Sequence, residues 1–130
     1  MPDFASPIRF SGTDSYIRAA LTGLAARQRT IANNVANVDT PNFKASEVRF
    51  EDALRAAASR RAPAVSQAAL DARVTQTSSV DGTTTRADGN NVDIDREMEL
   101  LGETNLTYSA LTQVMSSRLS ILRSVIGGGR

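Results

Sequence analysis

Residues 94–126 read IDREMELLGETNLTYSALTQVMSSRLSILRSVI, and the spacing of their apolar side chains decides the fold. Ile94, Met98, Leu101, Tyr108, Met115, Leu119, Leu122 and Ile126 recur in alternating steps of four and three, with Asn105 and Thr112 in the polar slots. A helix that repeats its apolar positions in this way keeps one stripe turned towards one partner, so the segment predicts a long helix with a heptad seam. Such a helix is about 48 Å long, more than a compact globule of this size needs, which predicts an elongated molecule. Asp93 and Asp95 stand where carboxylates cap a helix and favour its positive end. Gly127, Gly128 and Gly129 are expected to end it, because glycine loses the most entropy on helical ordering.

The same helix carries a neighbouring stripe at Leu100, Leu111, Val114, Ile121 and Val125. One partner helix cannot cover both stripes. Leaving such side chains in water forfeits roughly 1.5 to 3 kcal/mol each, so other subunits are expected to supply the missing surface.

Working back along the chain, residues 13–38 repeat the pattern with Ile17, Leu21, Leu24, Ile31, Val35 and Val38, and Gln28 fills the polar slot. Thr13 or Asp14 is the expected N-cap. Proline has no amide hydrogen and pushes the preceding residue towards extended backbone, so Asp39, Thr40 and Pro41 place the end of this first helix near residue 37. Its small residues, Ala19, Ala20, Gly23, Ala25, Ala26, Ala32 and Ala36, form a face on which a neighbouring helix could approach closely.

Between the two helices the character changes. Residues 51–61 suit a short helix. Residues 74–91, VTQTSSVDGTTTRADGNN, read as turn and irregular chain with a possible weak hairpin at Asp81 and Gly82. A loop of this length is usually functional or held by a partner. The fold expected is therefore all-α dominated: long N- and C-terminal helices packed as a coiled-coil-like hairpin, with a largely irregular middle segment. Residues 1–130 form one unit, divided into 1–44 (helix and elbow), 45–92 (middle segment) and 93–130 (second helix).

Composition narrows the chemistry. Lys plus Arg number 15 against 14 Asp plus Glu, a balance that argues against nucleic acid or anionic lipid as the partner. Arg55, Arg60 and Arg61 form the one basic cluster of note, without interleaved aromatics for base stacking. There is no His and no Cys, which removes thiolate and imidazole nucleophiles and nearly every structural zinc arrangement. An enzyme is not expected, and no cofactor. No run approaches the length of a membrane span, and the start lacks the basic head and apolar run of a cleaved secretory signal. Asp88, Asn90, Asp93, Asp95, Glu97 and Glu99 imitate a calcium loop, but Val92 and Asp93 occupy positions that need an oxygen ligand and a glycine.

Residues 32–44, ANNVANVDTPNFK, carry the most specific signal. Asn33 and Asn37 lie four apart on one helical face, and with Asn34 and Asp39 they can bond the backbone of the turn that Pro41 enforces. The block resembles the N-terminal signature of flagellar rod and hook proteins. Residues 45–54 and the block at 88–98, DGNNVDIDREM, resemble the proximal rod members most. The one departure is Asn42 where the family usually has Gly, and Asn tolerates the left-handed backbone expected there.

The resemblance implies an elbow of Asn33, Asn34, Asn37, Asp39, Thr40, Pro41, Asn42 and Phe43. It implies an assembly interface along Ile17, Leu21, Leu24, Ile31, Val35, Met98, Leu101, Tyr108, Leu111, Met115, Leu119, Leu122 and Ile126. The implied partners are copies of this chain, other flagellar rod subunits, and the basal adaptor and export-gate proteins. The implied location is the periplasmic rod of the flagellar basal body, reached by export without a cleaved signal. A cytoplasmic helical adaptor or secretion chaperone would share the amphipathic helices but does not require the elbow.

Overall fold

The computed structural model describes residues 12–59, 66–80 and 86–128. In chain order it contains α1 (Gly12–Ala36), β1 (Ser46–Val48), α2 (Phe50–Ala58), α3 (Gln67–Val74), β2 (Thr77–Ser79) and α4 (Ile94–Gly127). The fold is helix-dominated, as the heptad patterns require. At 34 residues, α4 is about 51 Å long.

Helices α1 and α4 form an antiparallel hairpin, and polar pairs mark its register. Asn34 Nδ2 donates to Glu97 Oε1 (3.1 Å), Gln28 Nε2 donates to Asn105 Oδ1 (2.7 Å), and Arg118 Nε pairs with Asp14 Oδ1 (3.3 Å). Gln28 and Asn105 are the polar interruptions of the two seams, and they meet each other. A matched polar pair between two seams marks one register, and the buried pair of Asn34 and Glu97 holds it, because a slip there leaves buried groups without partners. Thr13 and Asp14, the expected N-caps, lie inside α1 and do not cap it, since the helix already runs from Gly12. Asp14 instead turns inward to Arg118.

The small-residue face of α1 corrects an expectation. Ala19, Ala20, Gly23 and Ala26 are covered by the chain's own middle segment and not left for another subunit's helix, Ala25 is half-buried, and Ala32 and Ala36 stay exposed. Phe50, Leu70 and Val74 from α2 and α3 pack there with Leu24 and Val48. A Cβ added to Gly23 would stand 2.6 Å from Phe50 Cβ and Cγ, so the missing side chain is what lets the ring settle on α1. Arg27 lies over the other part of that ring, its guanidinium carbon 4.5 Å from the centroid. Tyr16 closes the far end by donating to Ala57 O (3.0 Å).

The middle segment holds more structure than its composition suggests. Helix α3, inside the middle segment expected to be largely irregular, is capped by Ser66, whose side chain accepts from Ala69 N. Its Leu70 and Val74 are buried. Strands β1 and β2 pair antiparallel, with Ser46 opposite Ser79 and Val48 opposite Thr77. The pair joins segments on either side of α2 and α3 and is not a local hairpin. Asp81, Gly82, Arg60, Arg61 and Gly129 lie outside the described residues.

Candidate functional site

Where α4 packs against α1 differs from the seam read from its spacing. The line that α4 turns inward runs through Glu97, Leu101, Thr104, Leu111, Met115 and Arg118, with Leu100 beside it. This line falls between the two apolar stripes and takes one edge of each: Leu101 and Met115 from the first, Leu100 and Leu111 from the second. The remainder of both stripes faces water. Ile94, Met98, Tyr108, Leu119, Leu122 and Ile126 are exposed on one flank, and Val114, Ile121 and Val125 on the other. Leu106 stands apart from both and is 73% exposed. Exposure rises beyond the last cross-helix pair, to 74% at Val125 and 77% at Ile126.

On α1 the seam residues are covered. Ile17, Leu24 and Ile31 are buried, and Leu21 and Val35 are half-buried. The residues expected to form an assembly interface therefore divide: those of α1 lie inside the hairpin, and most of those of α4 lie outside it.

At the other end of the hairpin the backbone turns sharply, and its polar groups are accounted for. Residues Thr40 to Phe43 form a turn closed by Phe43 N donating to Thr40 O (3.3 Å). Pro41 sits second and Asn42 third, with φ 60° at Asn42; Pro followed by a left-handed residue is the signature of a type II turn. Asn42 thus takes the conformation expected of the glycine it replaces. Gly89 faces it with φ 80°, and a Cβ at Gly89 would stand 2.6 Å from Asn42 Oδ1. The backbone of Asn42 is pinned to the same segment by Asn42 N donating to Asp88 O (2.8 Å).

The elbow is clamped chiefly from across the chain. Asn90, buried completely, shares its two amide hydrogens among the carbonyls of Asn37 (2.9 Å), Val38 (3.0 Å) and Thr40 (2.9 Å). These carbonyls follow the end of α1, and each also accepts from another donor: Asn37 O from Thr40 N, Val38 O from Arg86, and Thr40 O from Phe43 N. Asn90 Oδ1 accepts from Val92 N (2.8 Å), so one side chain closes α1 and orients the entry to α4. Asn91 does the same for the next strand, accepting from Ala45 N (2.7 Å) and donating to Val80 O (3.1 Å). Arg86 donates to Val38 O and pairs with Asp88, with Asp39 at 3.9 Å.

Among the elbow asparagines, Asn33 accepts from Asn37 Nδ2 at its carbonyl (2.8 Å), and Thr40 Oγ1 donates to Asn37 Oδ1 (3.2 Å). Asn34 does not bond the turn. Its amide reads the backbone of Ser46 in both directions, donating to Ser46 O (2.8 Å) and accepting from Ser46 N (3.0 Å). It thereby acts as a strand edge for β1. Asp93 caps α4 by accepting from Asp95 N and Arg96 N. Asn90 and Glu97 stand out in the sequence only as members of the failed calcium-loop pattern and Asn91 only within the block at 88–98 that carries the family signal; their roles here are structural.

Glu97 is the electrostatic oddity. It is 6% exposed, its Oε1 accepts from Asn34, and its Oε2 has no hydrogen-bond partner among the described residues. Burial pushes its carboxyl above the ordinary range, against the lowering effect of the Asn34 hydrogen bond and of Arg96.

A family model described as flagella basal body rod protein matches residues 17–44, the end of the match falling just past the elbow. The flagellar basal body rod protein FlgB of Bacillus subtilis (strain 168) is 35% identical over 130 residues, covering 93% of this chain and 98% of that protein. FlgB of Borrelia hermsii is 37% identical, covering 79% of this chain and 87% of its own. FlgB of Salmonella typhimurium is 32% identical, with 85% and 89% covered.

Proposed function

The chain belongs to the flagellar basal-body rod protein family, the FlgB proteins being its relatives, and from that membership we propose how it assembles. It is a structural subunit of the flagellar basal-body rod. The two flanks of α4 are its seams for neighbouring subunits, both copies of itself and other rod subunits, while α1 remains bound within the hairpin. The elbow holds the middle segment at a fixed angle to both helices, so that torque passes through a rigid subunit. The work is mechanical and not catalytic. The subunit stands in the periplasmic part of the rod, reached by export without a cleaved signal, and joins the export-gate and basal adaptor proteins to the subunits above.

The single observation that supports this reading is the position of α1 in the notch between the two α4 stripes. A monomeric hairpin would have turned one full stripe inward; here Leu119, Leu122 and Ile126 of one stripe and Val114, Ile121 and Val125 of the other stay in water. Such a patch marks an interaction surface. The test is Leu119→Asp with Leu122→Asp, which would bury unpaired charges in the seam at a cost of several kcal/mol. The expected outcome is loss of swimming and of rod assembly, with export of the subunit retained. Normal swimming by the double variant would show that this flank is not an interface.

A further inference from the structure

A cleft of about 270 Å³ opens between α1, β1 and the first turns of α4. Its floor is apolar, with Ile31 and Val48 buried and Val80 and Leu100 half-buried. Glu97 forms part of its wall, and Glu103 lies exposed at the rim. Two of the cations that line it are engaged: Arg27 donates to Val48 O and pairs with Glu51 (2.6 Å), and Arg49 pairs with Glu47. Arg96 stands exposed at the rim and makes no ion pair among the described residues. The Glu97 carboxyl is left with one oxygen unpartnered. A buried polar atom without a partner is rare in folded chains and costs stability, so a chain that keeps one usually uses it.

We propose that this cleft receives a Lys or Arg side chain of a neighbouring rod subunit, with Glu97 as the carboxylate that pairs with it. The inference rests on the rod-subunit reading above. Three features select a long cation. The apolar floor suits a methylene stem that buries itself while its head stays polar. The volume of about 270 Å³ leaves room for one extended side chain. The charge balance favours a positive head, because Glu47, Glu51, Glu97 and Glu103 line the cleft against Arg27, Arg49 and Arg96, and Arg27 and Arg49 are already paired. Insertion would give Glu97 Oε2 the donor that the free chain lacks.

The test separates a binding role from a structural one. Glu97→Gln keeps the shape and the contact with Asn34 but removes the charge. The variant is expected to fold with a melting temperature equal to or above that of the natural chain, while its incorporation into isolated basal bodies falls about tenfold or more. Undiminished incorporation would overturn the proposal, and so would a parallel fall in stability and incorporation, which is the mark of a structural role. Direct contact is read by placing p-benzoylphenylalanine at Glu103 and mapping the photo-adduct in assembled basal bodies. An adduct on a second polypeptide within a few residues of a Lys or Arg is expected; adducts confined to the same chain would overturn it. Absence of the natural chain from the basal bodies would overturn the rod-subunit reading itself, and the proposal with it.

Discussion

Helices α1 and α4 carry the same kind of heptad pattern and meet opposite fates. On α1 the apolar seam faces α4, and the small-residue face beside it is filled by Phe50, Leu70 and Val74, so the helix is sheathed on two sides by its own chain. On α4 the inward line includes Glu97, Thr104 and Arg118, while Leu119, Ile121, Leu122, Val125 and Ile126 are left in water. The difference teaches that a heptad pattern announces helix-to-helix packing without saying whose helix. Side-chain size separates the two: alanines and Gly23 admit short local elements closely, whereas the bulky stripes on either side of the inward line keep their outer edges exposed in the subunit.

The contrast breaks most easily on its covered side. Phe50→Ala removes the ring seated on Gly23 and beneath Arg27, and should cost the free chain about 3 to 5 kcal/mol, measured by urea unfolding. A cost under about 1 kcal/mol would mean that the middle segment does not form the folding core. Asn90→Ala comes next. It removes the buried side-chain donor shared by three elbow carbonyls, which keep Thr40 N, Arg86 and Phe43 N as partners, and a loss of about 1 to 3 kcal/mol is expected. Faster hydrogen exchange at Thr40, Asn42 and Val92 should accompany it; unchanged exchange would show that the turn holds without its clamp.

Glu97→Gln sharpens the contrast through pH. The carboxyl of Glu97 is raised in the folded chain, so its contribution is fully present below the ordinary Glu range and is lost as pH rises through the raised value. The natural chain and the variant should therefore melt alike in acid, and the variant should become the more stable one as pH climbs to neutrality and above. Parallel melting curves across that window would mean that Glu97 is not held in an unfavourable charged state. The smallest effect belongs to the uncovered side. Leu119→Asp with Leu122→Asp should change the stability of the free chain by no more than about 0.5 kcal/mol per site, because both residues are already solvated. A large loss in a demonstrably monomeric sample would show that the flank is covered within the subunit.

The hairpin, its length and the stop near residue 37 could be read from Ile17, Leu24, Met98 and Leu101 together with Pro41, since period and proline act locally. Asn42 was legible for the same reason: a position built for glycine tolerates few other residues. The clamp at Asn90 was not. Its chemistry lies in carbonyls some 50 positions earlier, and an Asn-Asn pair in a turn-rich stretch gives no sign of which backbone it will bond. Helix α3 escaped notice because it is short and Ala-rich, and its stability comes from burial of Leu70 and Val74 on α1.

Sequence by itself determined that this chain makes two long helices joined through an elbow, and that it carries more apolar helix surface than one hairpin can bury. Both follow from spacing along the chain, where backbone hydrogen bonds and side-chain volume act within a few residues. Only the tertiary structure decided which surface is spent inside the subunit. That choice depends on how α2, α3 and the two strands cover the face of α1, and on the pairs Asn34 with Glu97 and Asp14 with Arg118, which set the rotation at which Leu101, Leu111 and Met115 of α4 turn inward and the outer edges of both apolar stripes do not. Buried Asn34, Glu97 and Asp14 would lose these partners at another rotation, and that cost is the physical reason.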